Sequence, residues 1–546
     1  MKRYFTIFIL FAALIFSFYT FRHRLHKIHK KYQRELNTYG GPPLQINKKY
    51  DQKPIVAVVL SYNNSDWCEK NLDSIFSQNY QNYRLIYVDD CSTDDTYEKV
   101  LSYIEKRKMK DRSIVIKNKN RSWMVENFYR TIHKYCKDGE IVATIDGDDW
   151  LAHMDVFSQI NSAYSSADIW LTYGSMMEDP SHRVCSARPF VKHVLQRRGF
   201  RKHPWVATML RTFYADLFKK IRLEDFLFQG EFMLSSPDLA MMWPMFEMAK
   251  DRFAYMPYIN YIYNRRYIGN NEHKDYVNKT IALYYAQCIY NKKPYKEIQK
   301  LDFKKEEKAD IVIISKNSPQ AAELCLKSID KYIKDFDKVF IFFENSKENE
   351  KYYSLKGNYP YCELKETHNF KSTLLEGLDH FSDNLLILSD HIFFKDNVEL
   401  GSCIEKLDET HAKGLYFLFG NNITYASKEN FFQKDFPKIA LEEDFFAWHF
   451  EYGIGEWILP YSLEGTLMKK QELKKMLSQM KHFKTDEFYP TDNNIGLCYA
   501  KSKAIYLDFP SEEKITSILD EKGNIPITAE MKNNISFYYE FKGASL

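Results

Sequence analysis

Residues 141–150 read IVATIDGDDW, an apolar run that ends in a cluster of aspartates. A continuous apolar run is typical of a strand buried on both faces of a parallel sheet. Open α/β sheets bind ligands at the edge formed by the carboxyl ends of their strands. We therefore predict that Asp146 and Asp148, here called the aspartate pair, lie at a ligand-binding edge. Their carboxylates should share one side, because extended backbone turns every second side chain the same way.

Similar apolar runs precede this one, and stretches with a helical period separate them. The predicted strands are 55–60 (IVAVVL), 84–88 (RLIYV), 114–116 and 141–145, and the predicted helices are 67–78 and 125–135. Buried strands that alternate with helices indicate a mostly parallel sheet covered on both faces. The first domain is therefore predicted to be α/β.

A second start of the same kind follows a densely charged stretch. Residues 310–317 repeat the pattern of residues 55–63, and a predicted helix and two predicted strands follow at 321–332, 338–343 and 384–388. We interpret this as a duplication of one fold, with chance similarity between two α/β domains as the alternative. The predicted organisation is a membrane anchor at 1–30, a linker at 31–53, a first domain at 54–288, a charged linker at 289–308 and a second domain at 309–546.

Composition excludes several classes of protein. The chain has 546 residues, a formal net charge of +4 and 45% hydrophobic residues, which argues against disorder and against a nucleic-acid partner. Its 19 glycines form neither G-x-G-x-x-G nor G-x-x-x-x-G-K-[ST], so a bound nucleotide must be held in another way. Its nine cysteines are never spaced C-x-x-C, which argues against a disulfide framework and a thiolate zinc site, and fits a reducing compartment.

The aspartate pair suits a divalent metal. Mg²⁺ or Mn²⁺ takes hard oxygen ligands, and Mg²⁺ commonly uses one or two protein carboxylates together with phosphate oxygens and water. The alternative interpretation is an Asp-Gly turn that caps a helix beginning near Trp150, with Asp149 as the N-cap.

Two further polar turns follow predicted strands, Ser61-Tyr62-Asn63-Asn64 and Asp89-Asp90-Cys91-Ser92. Together with the aspartate cluster and the segment 74–80 (SIFSQNY), they resemble the donor site of family 2 glycosyltransferases of the GT-A fold. The resemblance is specific over residues 54–150, looser to about 275 and only architectural beyond 308. It implies a GT-A fold and transfer of a hexosyl or N-acetylhexosaminyl group from a nucleotide-diphosphate donor, expected to be a UDP-sugar.

The resemblance also implies roles for individual residues. Tyr62 and Asp90 would contact the base, Asp146 would lie near the ribose, and Asp148 would coordinate the metal that bridges the diphosphate. We take Asp146 and Asp148 together as the predicted metal ligands. The full predicted donor set is Ser61, Tyr62, Asn63, Asp90, Asn120, Arg121 and Asp146.

An acceptor-side segment is implied at residues 235–241 (SSPDLAM). In the family an acidic residue opens a helix there and acts as general base, so Asp238 is the predicted base of an inverting transfer. Glu231 and Asp225 are possible substitutes. Asp238 could instead be a first-turn acid favoured by the helix dipole.

The amino-terminal region predicts a membrane anchor. Residues 4–21 carry no charge, and six basic residues between Arg22 and Arg34 follow them. A run of this length is just sufficient to span a bilayer, and the absence of a small-x-small cleavage site favours an anchor over a signal peptide. The positive-inside rule predicts that the catalytic domains are cytoplasmic; a type II protein of the Golgi lumen is the alternative. Two N-x-S sequons, at Asn63 and Asn120, fall within the predicted donor site and would be awkward in a glycosylating lumen.

The second domain departs from the motif. It has Ser389-Asp390-His391 where the first domain has the aspartate cluster, so one carboxylate remains. We expect either a metal-independent transferase or, with slight preference, a partner domain that binds the acceptor. Trp457 begins an aromatic and acidic stretch that suits sugar stacking or a packed loop.

The expected function is a membrane-anchored, inverting glycosyltransferase that acts on a hydroxyl of a glycan or glycolipid. A sugar-nucleotide pyrophosphorylase is disfavoured, because residues 61–65 lack the glycines and basic charge of its phosphate loop. A non-catalytic scaffold that binds sugar or nucleotide is the other alternative.

Overall fold

A computed structural model of the protein describes residues 38–45, 50–185, 187–266, 279–301, 308–316, 318–344, 349–421, 425–426, 431–432, 436–442, 444–453, 457, 463–479 and 494–506. The predicted membrane anchor lies outside these ranges. Within them, no helix is both long and apolar enough to cross a bilayer.

The first part of the chain alternates strands and helices. Its strands are β1 Thr38–Tyr39, β2 Ile55–Ser61, β3 Tyr83–Asp89, β4 Ser113–Lys117, β5 Ile141–Asp146, β6 Trp150–Leu151, β7 Leu171–Asp179, β8 Phe190–Val191, β9 Arg211–Tyr214, β10 Leu227–Phe228, β11 Glu231–Phe232 and β12 Phe253–Asn264. Its α-helices are α1 Cys68–Phe76, α2 Thr96–Lys106, α3 Trp123–Tyr135, α4 Val156–Ser166, α5 Lys192–Arg197, α6 Ala215–Phe218, α7 Pro237–Ala249 and α8 Lys279–Asn291.

Eight of these strands form one mixed sheet in the order β4-β3-β2-β5-β9-β7-β12-β6. Strands β9 and β6 run opposite to the other six. Every residue of β2 is buried, as is β5 up to its terminal Asp146, which is why both appear in the sequence as unbroken apolar runs. The carboxyl ends of β3, β2 and β5 lie side by side and form the edge that the sequence predicted.

The second part of the chain repeats this alternation. Its strands are β13 Ala309–Ser315, β14 Ile333–Lys334, β15 Phe336–Glu344, β16 Cys362–Thr367, β17 Asn384–Ser389, β18 Ile392–Phe394, β19 Val398–Glu399, β20 Gly414–Tyr416, β21 Tyr425–Ala426, β22 Phe431–Phe432, β23 Ile439–Ala440, β24 Phe445–His449, β25 Thr466–Lys469, β26 Ile495–Tyr499 and β27 Ala504–Tyr506. Its α-helices are α9 Pro319–Tyr332, α10 Asn349–Asn358, α11 Phe370–Gly377, α12 Leu400–Thr410 and α13 Lys470–Gln479.

The second sheet has the order β16-β15-β13-β17-β25-β20-β26-β24-β23. Up to β24, each strand pair is parallel or antiparallel as in the corresponding pair of the first sheet. The two parts of the chain therefore share one topology over eight strands.

The compact units do not follow the predicted boundaries. The first unit comprises the chain up to Lys219 together with Leu234–Phe303, and the second comprises Lys220–Met233 together with the chain from Lys304. Residues 289–301, predicted as linker, pack with the first unit, where Ile289 and Leu301 are buried. Charge density along the sequence indicated a linker there, whereas buried apolar residues stand at both ends of the stretch.

A buried ion pair fixes the helix that carries Asp238. Arg201 Nε and Nη2 donate to the two carboxylate oxygens of Glu247 in α7, at 2.8 and 3.0 Å. Arg201 also donates to the carbonyl of Ile289 in α8, and Glu247 accepts from the backbone amide of Tyr295. The carboxylate thus ties α7 to the segment after α8, at a position where Glu247 has no exposed side-chain surface.

Candidate active site

A cavity of about 680 Å³ opens at the carboxyl edge of the first sheet. The residues that line this cavity are Leu60, Ser61, Tyr62, Asn63, Asn64, Ser65, Asp66, Asp90, Asp94, Arg121, Trp123, Met124, Asn127, Asp146, Asp148, Leu234, Ser235, Pro237 and Tyr263. The volume is in the usual range for small-molecule sites. Of the predicted site residues, Asn120 and Asp238 are not in the lining, although their neighbours Arg121 and Pro237 are.

The aspartate pair sits on a tight turn that requires a glycine. A Cβ atom on Gly147 would lie 2.5 Å from the Cβ and Oγ atoms of Ser61, so a larger residue would push the turn away from β2. The side-chain amide of Asn71, fully buried in α1, donates to the carbonyls of Asp146 and Asp149 at 2.9 and 2.7 Å. The turn is therefore fixed by its backbone, which leaves the aspartate pair facing the cavity.

Asp149 supports the turn from behind. Its carboxylate accepts from the hydroxyl of Tyr261 at 2.8 Å and from the backbone amide of Asn264 at 2.7 Å. The Tyr261 hydroxyl in turn accepts from the amide of Asp146. Because Trp150 begins strand β6, paired with β12, Asp149 is not the N-cap of a helix.

The electrostatics of the turn suit a cation. Burial raises the pKa of Asp146, the carboxylates of Asp148 and Asp238 raise it further, and the guanidinium of Arg211 opposes them. Burial and the neighbouring aspartates also raise the pKa of Asp149. Within the described residues no group of three or more His, Cys, Asp or Glu side chains is arranged to hold a metal. Two hard carboxylates at a cavity nevertheless fit Mg²⁺ or Mn²⁺, which can complete its shell with phosphate and water.

Asp90 holds the loop that precedes α3. Its carboxylate accepts from the side-chain amide of Asn118 and from the backbone amides of Ser122 and Trp123, at 2.8 to 2.9 Å. Arg121 Nε lies 3.3 Å from the same carboxylate. The three hydrogen bonds to Asp90 shape the wall of the cavity. Its contact with the base, which the resemblance implied, stays a prediction.

Arg121 and Tyr62 form a stacked pair in the cavity. The guanidinium of Arg121 lies 3.2 Å from the ring centre of Tyr62 and 4.4 Å from that of Trp123. Planar groups of this kind are the ones on which nucleotide bases stack. The structure thus brings these two predicted donor residues together, whereas Asn120 is exposed beside them.

Asp238 lies in the first turn of α7, which begins at Pro237. Its carboxylate is 3.6 Å from Nη2 of Arg211, and its side chain is 28% exposed. The two substitutes considered from the sequence lie in residues 220–233, which belong to the second unit. Asp225 is moreover buried and paired with Arg222. Asp238 directly follows Pro237, which lines the cavity.

Part of the chain around the cavity matches a known protein family. Residues 56–202 match the model of glycosyl transferase family 2. The chain is 32% identical over 98 residues to a Bacillus subtilis protein named for teichuronic acid biosynthesis, the glycosyltransferase TuaG. It is 28% identical over 134 residues to a glycosyltransferase of Haemophilus influenzae. The alignments cover 18% and 24% of this chain and 37% and 39% of those two proteins. They support a role in glycosyl transfer, but they span less than half of either relative.

Two solved structures with distant similarity to this chain hold nucleotide sugars. Residues 1–349 of S. aureus TarS, in complex with UDP-GlcNAc, are 18% identical with a TM-score of 0.34, covering 43% of this chain and 65% of that one. The mannosyltransferase PcManGT of Pyrobaculum calidifontis, in complex with GDP-Man and Mn²⁺, is 17% identical with a TM-score of 0.36, covering 49% and 72%.

The segment 74–80 supports the aspartate turn. Ser74 Oγ accepts from the amide of Leu151, and Gln78 donates to the carbonyl of His153 while accepting from the amide of Phe157. The sequence identified this segment only by resemblance. Its contacts show that it holds the chain immediately after the aspartate pair.

In the second unit, the turn at residues 390–391 lacks the aspartate pair. At the end of β5 the backbone amide of Gly147 donates to the neighbouring strand, and at the end of β17 the backbone amide of Asp390 does the same. Gly147 and Asp390 therefore occupy equivalent positions. Ser389 and His391 therefore stand in place of the aspartate pair.

Side chains at the equivalent edge of the second unit form contacts with one another. Asp390 accepts from the hydroxyl of Ser315 at 2.6 Å, and Ser315 is also hydrogen-bonded to the hydroxyl of Tyr352 at 2.5 Å. Tyr352 accepts from the amide of Ser318 and stacks on Phe343, with ring centres 4.3 Å apart. The remaining carboxylate of this edge, Asp390, is therefore hydrogen-bonded within the second unit, and the role of that unit stays a prediction.

Tyr261→Phe tests the support of the aspartate turn. The change removes one hydroxyl, so that the buried amide of Asp146 loses its hydrogen-bond acceptor and Asp149 keeps only the hydrogen bond from the amide of Asn264. We expect the free energy of unfolding to fall by about 1–3 kcal/mol, measured by urea denaturation. Tyr258→Phe is the control, because Tyr258 lies on the same strand and is 46% exposed. Equal denaturation midpoints for the two variants would contradict this role of Tyr261.

Proposed function

We propose that the first unit is a metal-dependent, inverting glycosyltransferase that moves a sugar from a nucleotide-diphosphate donor, a UDP-sugar, to a hydroxyl of a glycan or glycolipid. The observation that carries the proposal is the aspartate pair on a glycine-dependent turn, facing a cavity lined largely by residues that match the model of glycosyl transferase family 2. Ser61, Tyr62 and Asn63 line the same cavity and supply polar and aromatic contacts for a nucleoside.

Asp146 and Asp148 are the residues that would hold Mg²⁺ or Mn²⁺. A bound divalent ion acts as a Lewis acid that stabilises the negative charge of a leaving diphosphate. The backbone contacts of Asn71 and Tyr261 keep the aspartate pair in place. The stack of Arg121 on Tyr62 offers planar surfaces for the base, while Asp90 holds the wall on which Arg121 stands.

Asp238 would act as the general base. As the acceptor oxygen attacks the anomeric carbon, its proton passes to the Asp238 carboxylate and the bond from that carbon to the diphosphate oxygen breaks. Attack from the face opposite the leaving group inverts the configuration. The exposed fraction of the Asp238 side chain leaves it accessible to an acceptor.

Calorimetric titration of UDP, GDP and a panel of UDP-sugars, with and without Mn²⁺, tests the proposal. We expect UDP to bind only with the metal and one UDP-sugar to be hydrolysed slowly when water replaces the acceptor. Binding of a sugar nucleotide without hydrolysis or transfer would favour the scaffold instead. An absence of any nucleotide binding would refute both.

Asp238→Asn separates catalysis from donor binding. The amide cannot take a proton, so we expect the rate of transfer or donor hydrolysis to fall about 100-fold, the lower end of what a general base contributes. The dissociation constant of UDP should stay within about threefold, since Asp238 is outside the cavity lining. An unchanged rate would assign the base to another residue.

The proposal includes attachment to a membrane through residues 4–21, with the catalytic units on the cytoplasmic side. These residues lie outside the described part of the chain. Fractionation of cells expressing the full chain and a chain lacking residues 1–34 tests it, with loss from the membrane fraction expected for the shortened chain.

A further inference from the structure

Arg211 stands between the two acidic parts of the site. It begins strand β9, which pairs antiparallel with β5 so that Arg211 lies opposite Thr144, two residues before Asp146. Its Nη2 atom is 3.6 Å from Asp238. Arg211 therefore lies near the end of the strand that carries Asp146 and, at the same time, beside Asp238.

The orientation of Arg211 is set by contacts other than Asp238. Its Nε donates to the carbonyl of Ala207 at 3.1 Å, and the guanidinium lies 5.8 Å from the ring centre of Trp205. The side chain of Arg211 is 15% exposed, against 28% for Asp238. The guanidinium of Arg211 is thus the less exposed partner of the pair, and the carboxylate of Asp238 is the more exposed one.

The length of the ion pair matters for catalysis. At 3.6 Å, Arg211 attracts Asp238 without a short hydrogen bond, so the carboxylate oxygens keep lone pairs for an incoming hydroxyl. A short bidentate pair, such as Arg201 with Glu247, would occupy both oxygens.

We propose that Arg211 is the positioning residue of Asp238, holding its carboxylate toward the acceptor hydroxyl. This inference rests on the proposed function, and no motif in the sequence pointed to it. Arg211 acts through Asp238 and does not itself bind the donor.

The experiment compares Arg211→Ala with a matched variant, Arg252→Ala. Arg252 resembles Arg211 in its surroundings, since it pairs with Asp168 and lies over Trp170, but its carboxylate partner is not a predicted site residue. The readouts are the dissociation constant of UDP with Mn²⁺ and the hydrolysis rate of the UDP-sugar selected from the panel above, with water as acceptor.

We expect Arg211→Ala to lower the hydrolysis rate about 30-fold, near the scale of losing a general base, with UDP affinity within about threefold of wild type. Arg211→Lys should recover most of the rate, and added guanidinium should partly rescue Arg211→Ala. Guanidinium should not rescue Asp238→Asn, and Arg252→Ala should keep the wild-type rate.

Four results would overturn the inference. Weakened UDP binding with an unchanged rate would make Arg211 a donor-binding residue. Equal losses in both alanine variants without rescue would make its role structural. A wild-type protein that neither binds UDP nor hydrolyses any UDP-sugar would refute the proposed function, and the inference with it. If the wild-type protein binds UDP and hydrolyses a UDP-sugar, and Arg211→Ala does so equally well, only the inference is refuted.

Discussion

Replacing Asp148 by alanine is expected to lower the rate of glycosyl transfer by at least about 10³-fold, because metal stabilisation of a leaving group is worth several kcal/mol and each 1.36 kcal/mol is tenfold. The backbone of the turn is held by Asn71, Tyr261 and Asn264, so the variant should fold normally. Mn²⁺ binding, followed by electron paramagnetic resonance, and Mn²⁺-dependent UDP binding should be lost together.

The second unit supplies the control for this variant. His391 stands at the position equivalent to Asp148 and is about one-third exposed, so His391→Ala should leave transfer and Mn²⁺ binding unchanged. Loss of transfer in the His391 variant would give the second unit a direct part in the reaction. Full activity of Asp148→Ala would remove this aspartate from the metal site.

Replacing Glu247 by alanine is expected to lower the free energy of unfolding by about 3–5 kcal/mol, which is the cost of removing one partner from a buried ion pair. The loss is large because Arg201 would keep its charge at 4% side-chain exposure, and the amide of Tyr295 would lose its acceptor. For a domain stable by about 5–15 kcal/mol, this is a major part of the total. Urea denaturation of the first unit's signal is the measurement.

Two further variants keep this prediction testable if Glu247→Ala does not fold. The double replacement of Arg201 and Glu247 by methionine should be less damaging than Glu247→Ala, since no buried charge is left unpaired. Glu126→Ala is the control, because its pair with Arg130 on α3 is partly exposed and should contribute at most about 0.5 kcal/mol. Similar losses for Glu126→Ala and Glu247→Ala would contradict the burial argument.

Much of the fold was predictable from local pattern. The predicted strands 55–60, 84–88 and 141–145 correspond to β2, β3 and β5 with ends that differ by one residue at most. These strands are buried on both faces, so their sequences carry an apolar signal without interruption. The shorter antiparallel strands that complete the sheet, such as β9 and β6, were not predicted, because two to four residues carry too little periodicity.

The boundaries of the units were harder to predict. Residues 220–233 leave the first unit, although nothing in their composition distinguishes them from their neighbours. Compactness depends on contacts between segments far apart in the chain. A charge count along the sequence therefore indicated a linker at 289–308 and gave no sign that residues 220–233 belong to the second unit.

The sequence by itself determined which residues stand at the ligand-binding edge: a strand's end is a local property, and the turns after β2, β3 and β5 follow from it. Only the tertiary structure decided what these residues do. Asp90 holds a loop because Ser122 and Trp123, more than 30 residues away, bring their amides to it. The aspartate pair is fixed by Tyr261, 115 residues away from Asp146. Hydrogen bonds and ion pairs act over a few ångströms in space, and the order of residues along the chain does not specify which distant groups come that close.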